Sequence, residues 1–497
     1  ANKQIIKLEL NYAEDSEAIL TDAKYAFIEG ALKETYKGNL QTKFGYKTYK
    51  IDQYLTNKYL GFPIFIFFMW VMFQATFKIG QYPMEWIDQL VVFTGDFVSA
   101  AMPSGALKDL LVNGIIDGVG GVIIFLPNIL ILFLFISLME DTGYMARAAF
   151  IMDKIMHKVG LHGQSFIPLL MGFGCNVPAI MATRTIKNKN NRLLTILINP
   201  FMSCSARLPV YVLIISAFFT KHPGTILFSI YIFGIIMAAL MAILFKKTLF
   251  KTDEVPFVME LPPYRTPTVR NTIRHMWHKG SQYLKKMGGV ILVASIIIWA
   301  LGYYPKNNEL RDQYNQKIEN LKMGAVSGVS IKDNKNTNKI HHKIRELEAE
   351  KNAILQENSY IGKIGHFVEP VMRPLGFDWK MSVSLLSGIA AKEIVVSTMG
   401  VLYQVGLEGE QNTEKLAQKL KEAEYGSGPN KGKKVFNKIT AIGFLLFILL
   451  YFPCIAAVVA IKKETGSWKW ASFAIFYTTM LAWFVSFIVH QAGNFIA

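Results

Sequence analysis

Cysteine is scarce in this chain, with three in 497 residues, and acids are few, with 36 Asp and Glu against 53 Lys and Arg. Three thiols are too few for a disulfide scaffold, and Cys175, Cys204 and Cys454 all lie in apolar segments rather than exposed loops. No HExxH motif, CxxC pair or GxxxxGK[ST] phosphate loop occurs, so a zinc hydrolase, a thiol redox enzyme and a P-loop nucleotidase are not expected here, and the chain is read as non-enzymatic. The shortage of acids leaves a formal charge of +17, but the basic residues are spread between apolar runs instead of forming one patch, which argues against nucleic acid. The chain opens without a Met on a polar, charged stretch with no signal peptide, read as a start inside a longer protein or a beginning removed.

What is abundant is apolar sequence, 52% of the residues and arranged in blocks. Seven runs with little or no charge approach the roughly 20 helical residues that cross about 30 Å of hydrocarbon: Leu60 to Phe77, Gly118 to Met139, Leu193 to Phe219, Pro223 to Phe245, Met287 to Tyr304, Asn437 to Ile461 and Trp470 to Val489. Arg184, Lys187, Lys189 and Arg192 crowd one short loop without an acid, and 246–286 is also strongly basic, so both are expected in the cytoplasm. The acid-rich stretch 79–117 is expected outside, as is the mixed-charge loop 305–380 by counting spans.

At a constant offset of 216 residues, Tyr144 matches Tyr360, Met156 matches Met372, Gly160 matches Gly376, Leu169 and Leu170 match Leu385 and Leu386, and Gly172 matches Gly388. Each copy has the same order of parts: an apolar span, an amphipathic stretch, a short interrupted segment, then a span holding a breaker beside a cysteine, Cys204 or Cys454. One further span separates the copies, so the second enters the membrane in the opposite sense, a common transporter plan with its substrate site near the midplane.

The interrupted segments, Gln164 to Ala182 and Lys380 to Val401, carry Gly172, Gly174 and Pro178 in the first and Lys392 and Glu393 in the second. Backbone freed at membrane depth must be covered by protein or line a wet cavity, so both are expected to be re-entrant hairpins. All three cysteines fall on breaks: GFGCNVP at 172–178, NPFMSCSARLP at 199–209 and YFPC at 451–454. One such thiol would ordinarily be a small buried hydrophobe. Three out of three favour soft ligands for Fe(II) or its first-row neighbours, with Asn176 and Ser203 as polar groups on the same breaks. Arg207 sits inside an apolar span, where a charge normally faces a cavity or a partner. Glu140, Asp141 and Arg147 read either as a cation vestibule or as a solvated helix end, and Lys392 with Glu393 either as a buried pair or as direct ion contacts. Met171, Met181 and Met202 are expected to pack, and His275, His278, His341 and His342 to be solvated.

At these motifs the chain closely resembles the ferrous iron transport protein B (FeoB) family, through DAKYAFIEG at 22–30, NKYLGFPIF at 57–65, EDTGYMARAAFIMD at 140–153, GFGCNVPAIMATR at 172–184, NPFMSCSARLPVY at 199–211, AAKEIVVSTMGVLY at 390–403 and YFPC at 451–454. The resemblance implies a multi-pass protein of the bacterial inner membrane that carries Fe(II) as substrate between two gate repeats. Cys175, Cys204 and Cys454 would contact the metal, Glu140 and Met145 would lie near the pathway, and Lys392 and Glu393 would belong to the second hairpin. Family members carry an N-terminal GTPase, which would hold GTP and Mg, joined through a helical domain of which 1–38 resembles only the end. Implied partners are lipid, that GTPase domain and small Feo accessory proteins; a homo-oligomer is compatible with the resemblance.

The expected fold class is an all-α polytopic membrane protein with two inverted gate-like repeats and re-entrant hairpins. Its expected parts are 1–50, the end of the helical domain and linker; 51–117, the first transmembrane helix and an external helical segment; 118–246, gate repeat 1; 247–286, a basic cytoplasmic linker; and 287–497, gate repeat 2, with external insertions near 305–360 and 404–434. The rival is a nucleoside-like symporter on a similar gate repeat, which would need hydrogen-bonding side chains at the hairpin tips where this chain has thiols.

Overall fold

The computed structural model describes residues 51–496 apart from 58, 104, 117–119, 121–122, 125, 187, 220, 251–263, 306–310, 321–333, 404–409, 425–431 and 433. The expected helical-domain remnant at 1–50, the motif at 22–30 and part of the 404–434 insertion therefore lie outside the described residues. Two compact units divide at Leu60, and of the first only 51–57 and 59–60 are described, with a helical turn at 51–55. The second, Gly61–Ala497, carries everything discussed below.

Among the described residues the second unit has no strand, only one isolated bridge between Glu424 and Lys434. Its first helix, α1, runs Gly61–Ala101. At about 1.5 Å per residue this is roughly 60 Å, so the first expected span continues without a break through Pro83 into the acid-rich stretch. Next, α2 (Leu126–Asp141) turns through 84° into α3 (Tyr144–Lys158), pivoting on Gly143 in the left-handed region at φ 81°. Arg147 is fully buried under this bend, donating to the Gly143 carbonyl (3.1 Å) with its guanidinium 4.1 Å from the Tyr264 ring centre. It therefore braces the corner rather than joining a solvated helix end.

The first interrupted segment is a helical hairpin, α4 (Phe166–Gly172) and α5 (Asn176–Ala182). At about 10 Å each, neither half reaches across a bilayer. The following span is broken into α6 (Lys189–Ile198), two 3-10 turns at Asn199–Phe201 and Ser205–Arg207, and α7 (Leu208–Phe218). Then α8 (Pro223–Thr248) exposes Phe228, Ile235, Ile236, Leu240 and Leu244, apolar surface that lipid rather than water would solvate. The fifth expected run, Met287 to Tyr304, falls on α9 (Val269–Tyr303), followed by the polar α10 (Asn334–Asn358).

The second copy repeats the plan with α11 (Tyr360–Met372), the hairpin α12 (Trp379–Ser387) and α13 (Ile394–Leu402), an added α14 (Glu410–Glu422) that packs on α7, and a broken span of α15 (Lys438–Leu450) and α16 (Ile455–Thr465). The closing helix α17 (Trp468–Ile496) packs against α15, which is buried over most of its surface. Five helices or broken helices are long and apolar enough to cross a membrane, and the bent α2–α3 pair makes a sixth among the described residues.

Paired positions behave alike in backbone detail. Tyr144 and Tyr360 both open helices, while Gly160 and Gly376 take φ of 79° and 78°. Just after each glycine an amide reaches back over the turn, Leu161 to the Met156 carbonyl (2.9 Å) and Phe377 to that of Met372 (3.3 Å). His162 and Asp378, again 216 apart, each cap the turn that opens the hairpin by accepting from a backbone N–H.

Candidate functional site

Each cysteine is placed by a failure of helix. Cys175 is extended (φ −155°, ψ 129°) and is the N-cap of α5; Cys204 is the N-cap of the Ser205–Arg207 turn; Cys454 follows Pro453 as the N-cap of α16. None of the three side chains makes a capping hydrogen bond of ordinary length. The hairpins and broken spans are tied together in the same way in both copies. Ser205, after Cys204, donates its amide (3.2 Å) and hydroxyl (3.0 Å) to the Gly174 carbonyl, and Ile455, after Cys454, donates its amide to the Ile389 carbonyl (2.9 Å).

These ties bring the three thiols to one cavity of about 110 Å³, together with Asn176, Arg207, Lys392 and Glu393. A cation answers the carbonyls freed in each of the two broken spans. Arg207, fully buried, donates to Pro200 O (3.1 Å) and Met202 O (3.4 Å), while Lys392, 2% exposed, donates to Phe452 O (2.9 Å) with its ammonium 3.1 Å from the Tyr451 ring centre. Lys392 makes no ion pair with Glu393, so of the two readings of that pair the intramolecular salt bridge is not formed; the ammonium is turned to the break instead.

Not every expected residue reaches the cavity wall. Ser203 is buried behind it, donating to the Tyr211 hydroxyl (3.1 Å). Met145 is buried and Glu140 exposed near the α2–α3 bend, and neither lines the cavity. Conversely, Thr76 of α1 and Asn128 of α2 line it and were not singled out from sequence. Asn128 had a legible signal, an amide inside an apolar run. Buried oxygens of both Asn128 and Asn176 lack a hydrogen-bond partner, which is unusual for buried amides and leaves them able to meet a guest. Among the described residues no three His, Cys, Asp or Glu side chains are gathered closely enough to hold an ion in this conformation.

An all-helical chain whose two copies each pair a re-entrant hairpin with a broken span, around a cavity at the breaks, is a polytopic membrane protein of the gate-repeat class. The Gate family model, described as nucleoside recognition, matches 122–218 and again 284–468, and the model for the ferrous iron transport protein B C terminus matches 227–279. The chain belongs to the ferrous iron transport protein B family. It is 54% identical over 484 residues to an Fe(2+) transport protein A/Fe(2+) transporter FeoB fusion protein of Porphyromonas gingivalis, covering 97% of this chain and 56% of that one. It is 44% identical to the Fe(2+) transporter FeoB of Campylobacter jejuni (89% of this chain, 64% of that one) and 39% identical to that of Helicobacter pylori strain J99 (93% and 69%). The chain thus spans about three fifths of the length of the first two relatives. No solved structure is matched.

Proposed function

We propose that this chain forms the pathway by which Fe(II) crosses the bacterial inner membrane, and that the ion passes through the cavity bounded by Cys175, Cys204 and Cys454. The observation that carries this reading is that all the cysteines of the chain, from three separate breaks, line one cavity. Fe(II) accepts thiolate together with oxygen donors, unlike Mg(II) or Ca(II), which favour oxygen alone. Charge supports the same reading: three thiolates and the Glu393 carboxylate would together balance Arg207, Lys392 and one divalent ion in a site with little water to screen any excess. The Asn176 and Asn128 amides would add harder donors beside the sulfurs. The cysteines need not hold the ion at once, since a site that releases its cargo must bind it loosely in some state.

The relatives' names support Fe(II) as substrate, and the name of the Porphyromonas gingivalis fusion supports an association with Feo accessory protein A. A GTPase domain, with its GTP and Mg, would belong to the part of the relatives that this chain does not span and would control transport from there. Glu140 and Met145 would lie on the approach to the cavity rather than in it. The nucleoside-carrier rival draws on the description of the Gate model, but thiols are poor partners for a nucleoside's hydroxyls and ring nitrogens.

The test is uptake of radioactive iron by the full-length protein, normalised to folded protein in the membrane, with uridine as control solute. Replacing Cys175, Cys204 and Cys454 together by Ser exchanges soft ligands for harder, rarely ionised ones and is expected to abolish most uptake. Normal uptake by a folded triple variant, or transport of uridine, would overturn the proposal.

A further inference from the structure

Four short helices leave the cavity in two pairs, and each pair joins one repeat to the other. In the first, α5 starts beside Cys175 and α16 beside Cys454, and the two pack together. In the second, α7 starts after Arg207 and α13 after Glu393, and these also pack together. The far ends of the pairs are closed by different chemistry. Beyond α7 and α13, Phe436 stacks on Phe218 (5.7 Å between ring centres) and meets Tyr403 edge-on (6.2 Å).

Beyond α5 and α16 the closure is ionic. Glu464, whose side chain is only 3% exposed, receives Arg184 through both carboxylate oxygens (Nε to Oε2, 2.7 Å; Nη2 to Oε1, 2.5 Å). Arg192 adds a second cation, with Nη2 2.8 Å from Oε2 and 3.0 Å from the Glu464 carbonyl oxygen. Arg184 follows α5 and Arg192 lies on α6, both within the first Gate match, whereas Glu464 lies in the last turn of α16 within the second. Along either helix the cluster stands about 13–15 Å from the thiol that begins it, at 1.5 Å per residue.

We propose that Glu464, held by Arg184 and Arg192, is the gate that closes the cavity towards the side of the 183–192 loop, and that parting of α5 from α16 at this cluster opens it. A forked, nearly buried ion pair suits that task. It has a defined closed geometry, and its charged ends can be taken up by water once the helices separate. The other pair is closed by the Phe218–Phe436–Tyr403 ring contacts, with the Tyr403 hydroxyl donating to the Asp378 carboxylate (3.2 Å) and Lys380 over the Tyr403 ring, so its closure rests on stacked rings rather than on an ion pair between the repeats. This inference rests on the reading of the cavity as the pathway.

The chain supplies its own reporters, because its three cysteines line the cavity and no other thiol competes. Protein reconstituted in vesicles is treated with a small membrane-impermeant thiol reagent from each side in turn, with no iron present. In the unaltered protein the thiols should be protected from the side of the 183–192 loop. Glu464→Gln should raise their reaction rate from that side at least tenfold and leave the rate from the other side unchanged. Exchanging the charges, Arg184→Glu with Glu464→Arg, should restore part of the protection. If Glu464→Gln does not fold, Arg184→Gln carries the test, since this half-exposed side chain can be replaced while Arg192 keeps its hold, and a smaller rise is expected. A folded variant with unchanged labelling overturns the gate. Thiols unreachable from either side in every variant would overturn the pathway reading with it, whereas failure of iron uptake alone would leave the gate standing.

Discussion

Lys392 places its ammonium 2.9 Å from the carbonyl oxygen of Phe452, across the interface between the second hairpin and the second broken span. In the first copy the cation comes instead from the broken span itself, where Arg207 serves Pro200 and Met202. Both breaks thus use a buried cation to satisfy carbonyls that a continuous helix would have bonded internally.

Replacing Lys392 by Met tests what that arrangement is for. A hydrogen bond from a charged donor returns about 1.5–3 kcal/mol and a desolvated cation–π contact about 2 kcal/mol, against a burial penalty of several kcal/mol for the ion. Lys392→Met is therefore expected to keep or raise the melting temperature while iron uptake per folded molecule falls severalfold. A melting temperature lowered by many degrees, with uptake lost only in proportion to folded protein, would make Lys392 a structural residue alone.

Gly160 and Gly376 share one backbone conformation but not one environment. The left-handed region penalises a side chain by about 1–2 kcal/mol at either position. A Cβ at Gly160 would also meet Lys246 Cδ at 2.6 Å, part of a flexible side chain that can move, whereas one at Gly376 would run into the ring of His490. Gly376→Ala should accordingly destabilise more than Gly160→Ala, by about 1–3 kcal/mol beyond the shared penalty, in thermal unfolding of the detergent-solubilised protein.

On α8 the contrast lies within one helix. A Cβ at Gly234 would stand 2.8 Å from the Phe201 carbonyl oxygen, backbone at the first break, while one at Gly224 meets nothing within 4 Å. Gly234→Ala should lower stability by about 1–3 kcal/mol and disturb uptake, since α8 or the break must shift. Gly224→Ala should be neutral or stabilising by up to about 1 kcal/mol through helix propensity. Equal effects would mean that the close approach of α8 to the break is not maintained.

The inverted arrangement of the copies has its own test. With the native cysteines replaced, a cysteine introduced at Asn188 should react with an impermeant thiol reagent only from the cytoplasmic side, and one at Asn334 only from outside. Labelling of both from the same side would contradict the inversion.

The helices, the hairpins and the repeat were legible because their signals are local. Runs of apolar residues, the glycines and prolines that interrupt them, and the paired Gly160 and Gly376 act over a few residues wherever they stand. The site was legible only in part. Cys175, Asn176, Cys204, Arg207, Lys392, Glu393 and Cys454 could be marked because polar groups and thiols at breaks are unusual in apolar sequence, and the structure gathers all seven at one cavity. Ser203 carried the same mark but is turned away, since which way a side chain points at a break depends on its neighbours. Asn128 offered a signal that was passed over, and Thr76 none, as a single hydroxyl within a helix can bond to its own backbone.

The sequence by itself determined an all-helical membrane chain with a duplicated plan, because the mismatch between an apolar run and water is written residue by residue. The tertiary structure decided which breaks meet, that Lys392 turns to Phe452 rather than to Glu393, and that Arg184 and Arg192 close on an acid about 280 positions away. Those outcomes depend on the crossing of helices from different repeats, where the burial of one group sets the partner of another, and no local pattern in the chain encodes that proximity.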